Sequence, residues 1–151
     1  MNEQSPRDPD FAARVRASFA RQQLMHTLGV ELTRIDAGEC ELEMPFDAAF
    51  AQQHGFLHAG TLTAVVDSAC GYAALSLMAP GAAVMSVEFK VNLLAPAAGE
   101  RLIARARVVR SGRTLTVVAG EGFMRTGTTE RHVFTMLATM MAVQGRAGVS
   151  D

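Results

Sequence analysis

The sequence predicts an α+β domain in which a curved antiparallel β-sheet wraps around one buried α-helix. Residues 62–78 contain no Lys, Arg or Glu and a single carboxylate, Asp67. A segment that is apolar nearly all round is typical of a buried helix. Four strand-like segments follow it, and the short turns between the last three indicate an antiparallel meander. Helix and strands are therefore segregated along the chain, as they are in α+β domains.

The composition is that of one globular domain. The chain has 151 residues, 49% of them hydrophobic, and a formal net charge of −1. These values exclude a disordered chain and do not indicate a nucleic-acid-binding protein. We expect a flexible leader over 1–10, one domain over 11–143 and a flexible tail over 144–151. With no apolar signal-peptide core in the leader and no CxxC motif at Cys40 or Cys70, we expect a cytoplasmic protein with reduced thiols.

The first predicted elements are a helix and a hairpin. Residues 11–28 carry apolar side chains at helical spacing and end at Gly29, which predicts an extra N-terminal helix that packs on the domain. A helix lying on a membrane surface is the alternative. Residues 30–35 and 40–44 alternate between apolar and polar around a Gly-containing turn, which predicts a β-hairpin. A loop over 45–57 then leads to the buried helix.

Four strands are predicted after the turn formed by Pro80 and Gly81. They are residues 84–93, 102–109, 115–124 and 132–143. Alternation in the first of them predicts one face with Met85, Val87, Phe89, Val91 and Leu93, and an opposite face with Ser86, Glu88, Lys90 and Asn92. The positions expected to let the central helix approach the sheet closely are the small residues Ala104, Ala106, Gly120 and Gly122.

Two features of the buried helix could carry catalysis. His58, Ala59 and Gly60 stand at its start, where the first backbone N–H groups lack intrahelical acceptors and lie at the positive end of the helix dipole. Such groups suit a developing oxyanion. Asp67 is a candidate general base or nucleophile toward an acyl compound.

The spacing along the helix separates these two features. Ala59 and Gly60 precede Asp67 by about 10–12 Å along the axis, whereas a reacting acyl carbon has to lie about 3 Å from both groups. We therefore expect a homodimer in which the helix start of one subunit meets Asp67 of the other, and the sequence leaves open a dimer of dimers. In the alternative, Asp67 is structural and is satisfied by backbone donors or by the hydroxyl of Ser68 or Thr63.

Arginine residues mark a second candidate region. Arg110 and Arg113 flank Ser111 and Gly112 in a predicted turn, and guanidinium groups beside exposed backbone N–H groups suit phosphate oxygens. An ordinary hairpin turn beside a solvated strand face is the alternative. The histidines of the HGFLH segment lack the spacing of a zinc site, so no metal is predicted. The GxSxG, P-loop and GxGxxG signatures do not occur in the sequence.

Two segments together resemble a known family. QQHGFLHAGTLTAVVDSACGYAA and SVEFKVNLLAPAAGERLIARARVVRSGRTL are similar to the PaaI-type branch of the hotdog-fold acyl-CoA thioesterases, in the 4-hydroxybenzoyl-CoA thioesterase superfamily. The likeness spans residues 28–143. It implies the hotdog fold and hydrolysis of an acyl-CoA to free acid and CoA without metal or organic cofactor. Medium-chain, long-chain and aromatic acyl groups all remain open.

The resemblance also implies roles for individual residues. The catalytic positions correspond to Asp67, Gln52, Ala59, Gly60, His58 and Ser86. In this family the carboxylate attacks the thioester or activates water, backbone N–H groups of the neighbouring subunit form the oxyanion hole, and the loop amide orients the thioester or the water. The histidine supports the loop and the serine helps place the water. The positions that contact coenzyme A correspond to Pro96, Arg110, Ser111, Gly112 and Arg113.

Three positions depart from the family pattern. Ala59 replaces the first Gly of the PaaI motif, Gln52 stands where close relatives often have Asn, and Gly71 replaces the Thr or Ser of the 4-hydroxybenzoyl-CoA type. Two other functions are alternatives. One is a hotdog hydratase or dehydratase of enoyl thioesters, which uses a catalytic His with an acid. The other is a non-catalytic protein that binds acyl thioesters.

Overall fold

A computed structural model describes residues 5–151, and residues 1–4 of the predicted leader lie outside the described part. The helices are α1 (Phe11–Arg21), α2 (Gln23–Leu28) and α3 (Ala59–Leu75), with a short 3-10 helix at Ala48–Phe50. The strands are β1 (Glu31–Asp36), β2 (Glu39–Pro45), β3 (Ala83–Leu93), β4 (Arg101–Ser111), β5 (Leu115–Thr126) and β6 (Thr129–Val143). They form one six-stranded sheet in the order β1-β2-β4-β5-β6-β3. All neighbours are antiparallel, which confirms the predicted α+β architecture.

Helix α3 forms the centre of the core and packs against five of the strands, β2 to β6. At Gly120 of β5, a Cβ atom would lie 2.6 Å from Val66 Cγ1 and 2.7 Å from Cys70 Sγ. The missing side chain therefore lets the helix approach the sheet, as predicted. At Gly122 a Cβ atom would instead meet Phe134 Cβ of β6 at 3.0 Å. The prediction that Gly122 makes room for the helix is wrong, because its close neighbours belong to the sheet.

Helix α1 holds the C-terminal end of α3 through Arg14. The guanidinium group donates hydrogen bonds to the carbonyl oxygens of Leu75 (2.9 Å), Met78 (2.9 Å) and Ala79 (2.7 Å). Carbonyls at the end of a helix lack intrahelical donors. Two of these carbonyls, those of Leu75 and Ala79, also accept backbone N–H groups, so Arg14 adds a further donor there and connects the end of α3 to α1. Asp8 lies 3.4 Å from the same guanidinium.

The helices differ from their predicted extents in two places. The helix predicted over 11–28 is divided into α1 and α2, because Gln22 has an extended backbone with φ −83° and ψ 97°. Val15 of α1 is fully buried, so α1 packs on the domain as predicted. The central helix ends at Leu75, and residues 76–78, which were predicted to be helical, form a turn. None of the helices over residues 5–151 combines the length and hydropathy needed to cross a membrane.

A bulge in β3 changes the predicted alternation. The register with β6 shifts between Ser86 and Glu88, so Val87 is an extra residue that reverses the faces. Ser86 pairs with Met140 and Phe89 pairs with Ala138. Because Met140 and Ala138 lie two residues apart on one face of β6, Ser86 and Phe89 share the face that is turned toward α3. The prediction that they lie on opposite faces is wrong.

The edge of the sheet at β3 is apolar and exposed. Among the described residues β3 pairs with β6 alone, so beyond Val84, whose N–H donates to Asp151, its other edge has no strand partner. Met85, Val87, Phe89 and Leu93 are each more than 40% exposed. A long apolar edge strand is a surface on which another chain can pair.

The two ends of the described chain fold back onto the domain. Asp8 is buried. Asp151 accepts hydrogen bonds from Ser18 Oγ at 2.6 Å and from the Val84 N–H at 3.2 Å. The flexibility of segments 1–10 and 144–151 stays a prediction.

Candidate active site

Asp67 meets Ser86 where α3 passes the bulge in β3. Ser86 Oγ donates a hydrogen bond of 2.8 Å to Asp67 Oδ1 and lies 3.4 Å from Met140 Sδ. Within residues 5–151 the carboxylate has no other hydrogen-bond donor. Its second oxygen therefore has no partner in the described chain and is available to a substrate or a water molecule.

Partial burial changes the proton affinity of this carboxylate. Burial raises the pKa of Asp67 above its ordinary value, because the charged form loses hydration, and the hydrogen bond from Ser86 acts in the opposite direction. A carboxylate with a raised pKa beside a cavity is a candidate for acid–base or nucleophilic work.

The hydroxyl groups that could satisfy Asp67 from its own helix make other contacts. Thr63 Oγ1 donates to the Ala59 carbonyl at 2.8 Å. Ser68 Oγ accepts a hydrogen bond of 3.2 Å from Gln22 Nε2, and Gln22 Oε1 accepts one of 3.0 Å from Tyr72 OH. Neither helix hydroxyl therefore bonds to Asp67, which is bonded by Ser86 alone in the described chain. The hydrogen-bonded side chains of Tyr72, Gln22 and Ser68 form a polar surface nearby.

A cavity of about 380 Å³ opens beside Asp67. It lies between α1, α3, the start of β3 and the last two residues of the chain, and both Asp67 and Ser86 line it. We call this space the Asp67 pocket. Gly71, one helical turn after Asp67, also lines it, and a Cβ atom at Gly71 would meet only Val84 Cγ1, at 3.9 Å. The departure from Thr or Ser at this position therefore enlarges the pocket.

The start of α3 lines a second cleft, of about 680 Å³, together with Gln52, His58, Ala59 and Pro96. His58 is the N-cap of the helix, and its Nδ1 accepts the Gly60 N–H at 2.8 Å. No acceptor for the Ala59 N–H occurs in the described part of the chain. The helix start therefore presents the Ala59 N–H as a free donor, whereas the Gly60 N–H is engaged by His58.

The loop before α3 fixes Gln52 at this cleft. Gln52 Oε1 accepts the His54 N–H, and the Gln52 N–H donates to the Phe56 carbonyl at 2.8 Å. The side-chain NH2 group of Gln52 has no acceptor among residues 5–151. It is a second free donor near Ala59.

Within one chain the two halves of the predicted site lie apart. Asp67 and Ser86 share the Asp67 pocket, whereas Gln52, His58 and Ala59 share the cleft at the helix start. Eight residues of helix separate Ala59 from Asp67, which is about 12 Å. The structure of a single subunit therefore does not bring the free N–H group and the carboxylate together.

The positions predicted to contact coenzyme A also fall at opposite ends of α3. Pro96 lines the cleft at the helix start. Ser111, Gly112 and Arg113 line a third cavity, of about 330 Å³, next to Met78 beyond the helix end.

Arg7 lies beside this turn, and the sequence-based predictions do not include it. Its Nη2 donates to the Gly112 carbonyl at 3.4 Å, and it lines the same cavity. Arg110 is exposed on the adjoining strand. No sequence signal links a residue of the leader to a turn more than a hundred residues away, so only the fold reveals this third arginine.

No group of three or more His, Cys, Asp or Glu side chains over residues 5–151 is arranged to hold a metal ion. The expectation that the chain needs neither a metal nor an organic cofactor stays a prediction.

Residues 54–131 match the family model of the thioesterase superfamily. The chain belongs to this superfamily. The matched segment contains the start of α3, Asp67, Ser86 and the arginine-bearing turn, whereas Gln52 lies just before it.

Individual thioesterases share the fold along most of the chain. A thioesterase family protein from Silicibacter pomeroyi is 55% identical, with a TM-score of 0.88 over 89% of this chain and 99% of that one. The proofreading thioesterase EntH of Klebsiella pneumoniae is 30% identical over 101 residues, which are 67% of this chain and 73% of EntH. The PaaI protein of the Escherichia coli phenylacetic acid degradation operon is 23% identical, and its TM-score of 0.82 over 90% of this chain and 95% of PaaI shows the same fold.

These similarities confirm the predicted hotdog fold and the predicted PaaI-type resemblance. They also confirm that the chain is a thioester hydrolase.

Proposed function

We propose that this thioesterase hydrolyses acyl-CoA thioesters to a free acid and coenzyme A at sites shared by two subunits. The observation that carries the proposal is the state of Asp67. Its carboxylate is half-buried beside a cavity, and Ser86 is its single hydrogen-bond donor in the described chain. A carboxylate with a purely structural role would be expected to have more donors.

Asp67 serves as nucleophile or as general base. As nucleophile, a carboxylate oxygen attacks the thioester carbon and the CoA thiolate leaves, giving a mixed anhydride that water then hydrolyses. As base, Asp67 takes a proton from the water molecule that attacks the carbonyl carbon. Both routes pass through a tetrahedral intermediate with a negatively charged oxygen.

The helix start of the other subunit stabilises that oxygen. The Ala59 N–H has no acceptor among residues 5–151 and lies at the positive end of the α3 dipole. The Gln52 NH2 group lines the same cleft and orients the thioester carbonyl or the water. His58 holds the helix start in place by accepting the Gly60 N–H.

A homodimer joins the two halves of the site. If two α3 helices lie side by side and antiparallel, each Asp67 faces the Ala59 N–H of the partner subunit. The β3 edge, with its unpaired backbone groups and exposed apolar side chains, supplies the surface across which the two sheets join. A further pairing of two dimers stays a prediction.

The same arrangement brings the arginine-bearing turn toward the thioester. The turn lies beyond the C-terminal end of α3, so it projects past the helix start of the partner subunit and toward Pro96 there. Arg110, Arg113 and Arg7 would then face the phosphates of coenzyme A, and arginine suits phosphate oxygens better than other side chains do.

Replacing the carboxylate tests this assignment. Asp67→Asn keeps the size of the side chain but removes the base and weakens the nucleophile, so we expect kcat to fall by at least about a hundredfold. The rate is measured as thiol release from a panel of acyl-CoA substrates. Asp36→Asn is the matched control, because Asp36 is exposed in the β1–β2 hairpin. Near-normal turnover by Asp67→Asn in a correctly assembled protein would refute the assignment.

The same panel separates the alternative functions. A hydratase would add water to crotonyl-CoA without releasing thiol. A binding protein would retain acyl-CoA without releasing thiol from any member of the panel.

A further inference from the structure

We infer that Asp151 closes the far end of the Asp67 pocket and restricts the enzyme to short acyl groups. This inference rests on the proposed function, because it assumes that the acyl group enters the pocket beside Asp67. It goes further by identifying the residues that set the acyl length.

Three groups from two elements, α1 and β3, hold the Asp151 carboxylate. Ser18 Oγ of α1 donates to Oδ1 at 2.6 Å, and the Val84 N–H of β3 donates to Oδ2 at 3.2 Å. The Arg21 guanidinium lies 3.9 Å from Oδ1. The side chain of Asp151 is only 17% exposed. The last residue of the chain is therefore seated between α1 and β3.

Asp151 faces the same space as the reacting carboxylate. Asp67, Gly71 and Asp151 all line the Asp67 pocket. Gly71 lies four residues beyond Asp67, about 6 Å along the helix axis. An acyl chain attached at the thioester carbon can pass over Gly71, which has no side chain, but it then reaches the Asp151 carboxylate.

The sides of the pocket do not favour a long apolar chain either. Gln22 is held at both ends of its amide, by Tyr72 OH at 3.0 Å and by Ser68 Oγ at 3.2 Å. Its extended backbone between α1 and α2 places it at the pocket. These groups are bonded to one another, so they remain in place as a polar lining rather than moving aside.

The Asp151 carboxylate disfavours the binding of long acyl chains. A long alkyl chain would either press against Asp151, which removes water from a charged group, or displace it from Ser18 and Val84. A short acyl group does neither. The enzyme should therefore prefer butyryl-CoA to decanoyl-CoA, although apolar burial alone would favour the longer chain.

Two variants test the role of the end residue. Asp151→Ala removes the carboxylate, and Ser18→Ala removes its shortest hydrogen bond while leaving the carboxylate in the chain. We divide kcat/KM for decanoyl-CoA by kcat/KM for butyryl-CoA, and we expect this ratio to rise in both variants. In Asp151→Ala the ratio should rise by about tenfold or more. That factor corresponds to the burial of roughly two additional methylene groups. Asp36→Ala is the matched control and should leave the ratio unchanged.

Binding of unreactive thioethers gives a second readout that does not need turnover. In the Asp151→Ala protein, the affinity for S-decyl-CoA relative to that for S-butyl-CoA should rise. The rise should match the rise in the ratio of kcat/KM for the two substrates. An unchanged ratio in both measurements, or a wild-type preference for the decyl group, would overturn the inference while leaving thioester hydrolysis intact. If the wild-type protein releases no thiol from any acyl-CoA, the proposed function fails, and the thioether affinities still decide the role of Asp151.

Discussion

At the scale of residues, the partial burial of the Asp67 carboxylate lowers the stability of the fold. Burial raises its pKa, so the folded state binds the proton more tightly than the unfolded state does. The cost is absent below the ordinary pKa, grows as the pH rises through the raised folded pKa, and is fully present above it. Asn at this position would remove the charge and its cost. A loss of activity in Asp67→Asn would therefore not be explained by a less stable fold.

In the proposed mechanism, the hydrogen bond from Ser86 influences the pH at which the Asp67 carboxylate becomes active. Its hydrogen bond favours the charged form, in opposition to burial. In Ser86→Ala the pKa of Asp67 should rise further, so the acid limb of the kcat profile should move to higher pH. A pH–rate profile with one acyl-CoA substrate measures the midpoint.

Thr63→Ala is the control for that profile, because the Thr63 hydroxyl bonds to the Ala59 carbonyl and not to Asp67. Its midpoint should match that of the wild type. An unmoved midpoint in Ser86→Ala would show that this hydrogen bond does not tune Asp67.

The sequence identifies Asp67 more readily than its partners. A lone carboxylate on an apolar helix is visible in the residue pattern, because an unpaired buried charge requires an explanation. The contact of Ser86 with Asp67 depends on a bulge at Val87, for which the alternating pattern gives no signal. Arg7 and Asp151 are placed by contacts across the whole chain, and such contacts have no local signature.

At the scale of elements, the approach of α3 to β5 depends on Gly120. In Gly120→Ala the new methyl group would lie 2.6 Å from Val66 Cγ1 and 2.7 Å from Cys70 Sγ, so helix and strand must separate. We expect the free energy of unfolding to fall by about 1–3 kcal/mol. Denaturant titration measures this change.

Gly71→Ala is the matched control for that substitution. It lies inside α3, and its new methyl group would meet only Val84 Cγ1, at 3.9 Å. Alanine favours a helix over glycine by about 1 kcal/mol, so this variant should gain stability. Equal losses in both variants would show that the close approach at Gly120 is not the cause.

The elements themselves were predictable where periodicity is strong. The six strands and the central helix follow from hydropathy patterns, and the close approach at Gly120 follows from a small residue on a strand. The interruption at Gln22 has neither Gly nor Pro to mark it. The break between α1 and α2 lies where Gln22 bonds to Ser68 and Tyr72 of α3, so a tertiary contact determines its position.

At the scale of the whole molecule, the proposed site requires two subunits joined at β3. Phe89 is 42% exposed on that strand and shares the face of Ser86. Phe89→Asp would place a charge in the apolar contact, so we expect monomers at concentrations where the wild type is dimeric. Activity should fall in proportion to the dimer that is lost. Light scattering coupled to size-exclusion chromatography measures the mass, and thiol release measures the rate.

Leu24→Asp is the control for dimerisation. Leu24 is 50% exposed in α2, just before β1 at the opposite edge of the sheet from β3, and its substitution should change neither mass nor rate. A fully active monomer of Phe89→Asp would end the proposal of a shared site.

Helix α1 lies outside the segment that matches the family model, which begins at residue 54. Yet Arg14 anchors the end of the central helix, and Ser18 lines the Asp67 pocket together with Asp67. If the Asp67 pocket receives the acyl group, Ser18 lines it from outside the matched segment, whereas Asp67 lies within that segment. Substitutions in α1 could then change the acyl preference of the enzyme without altering the carboxylate.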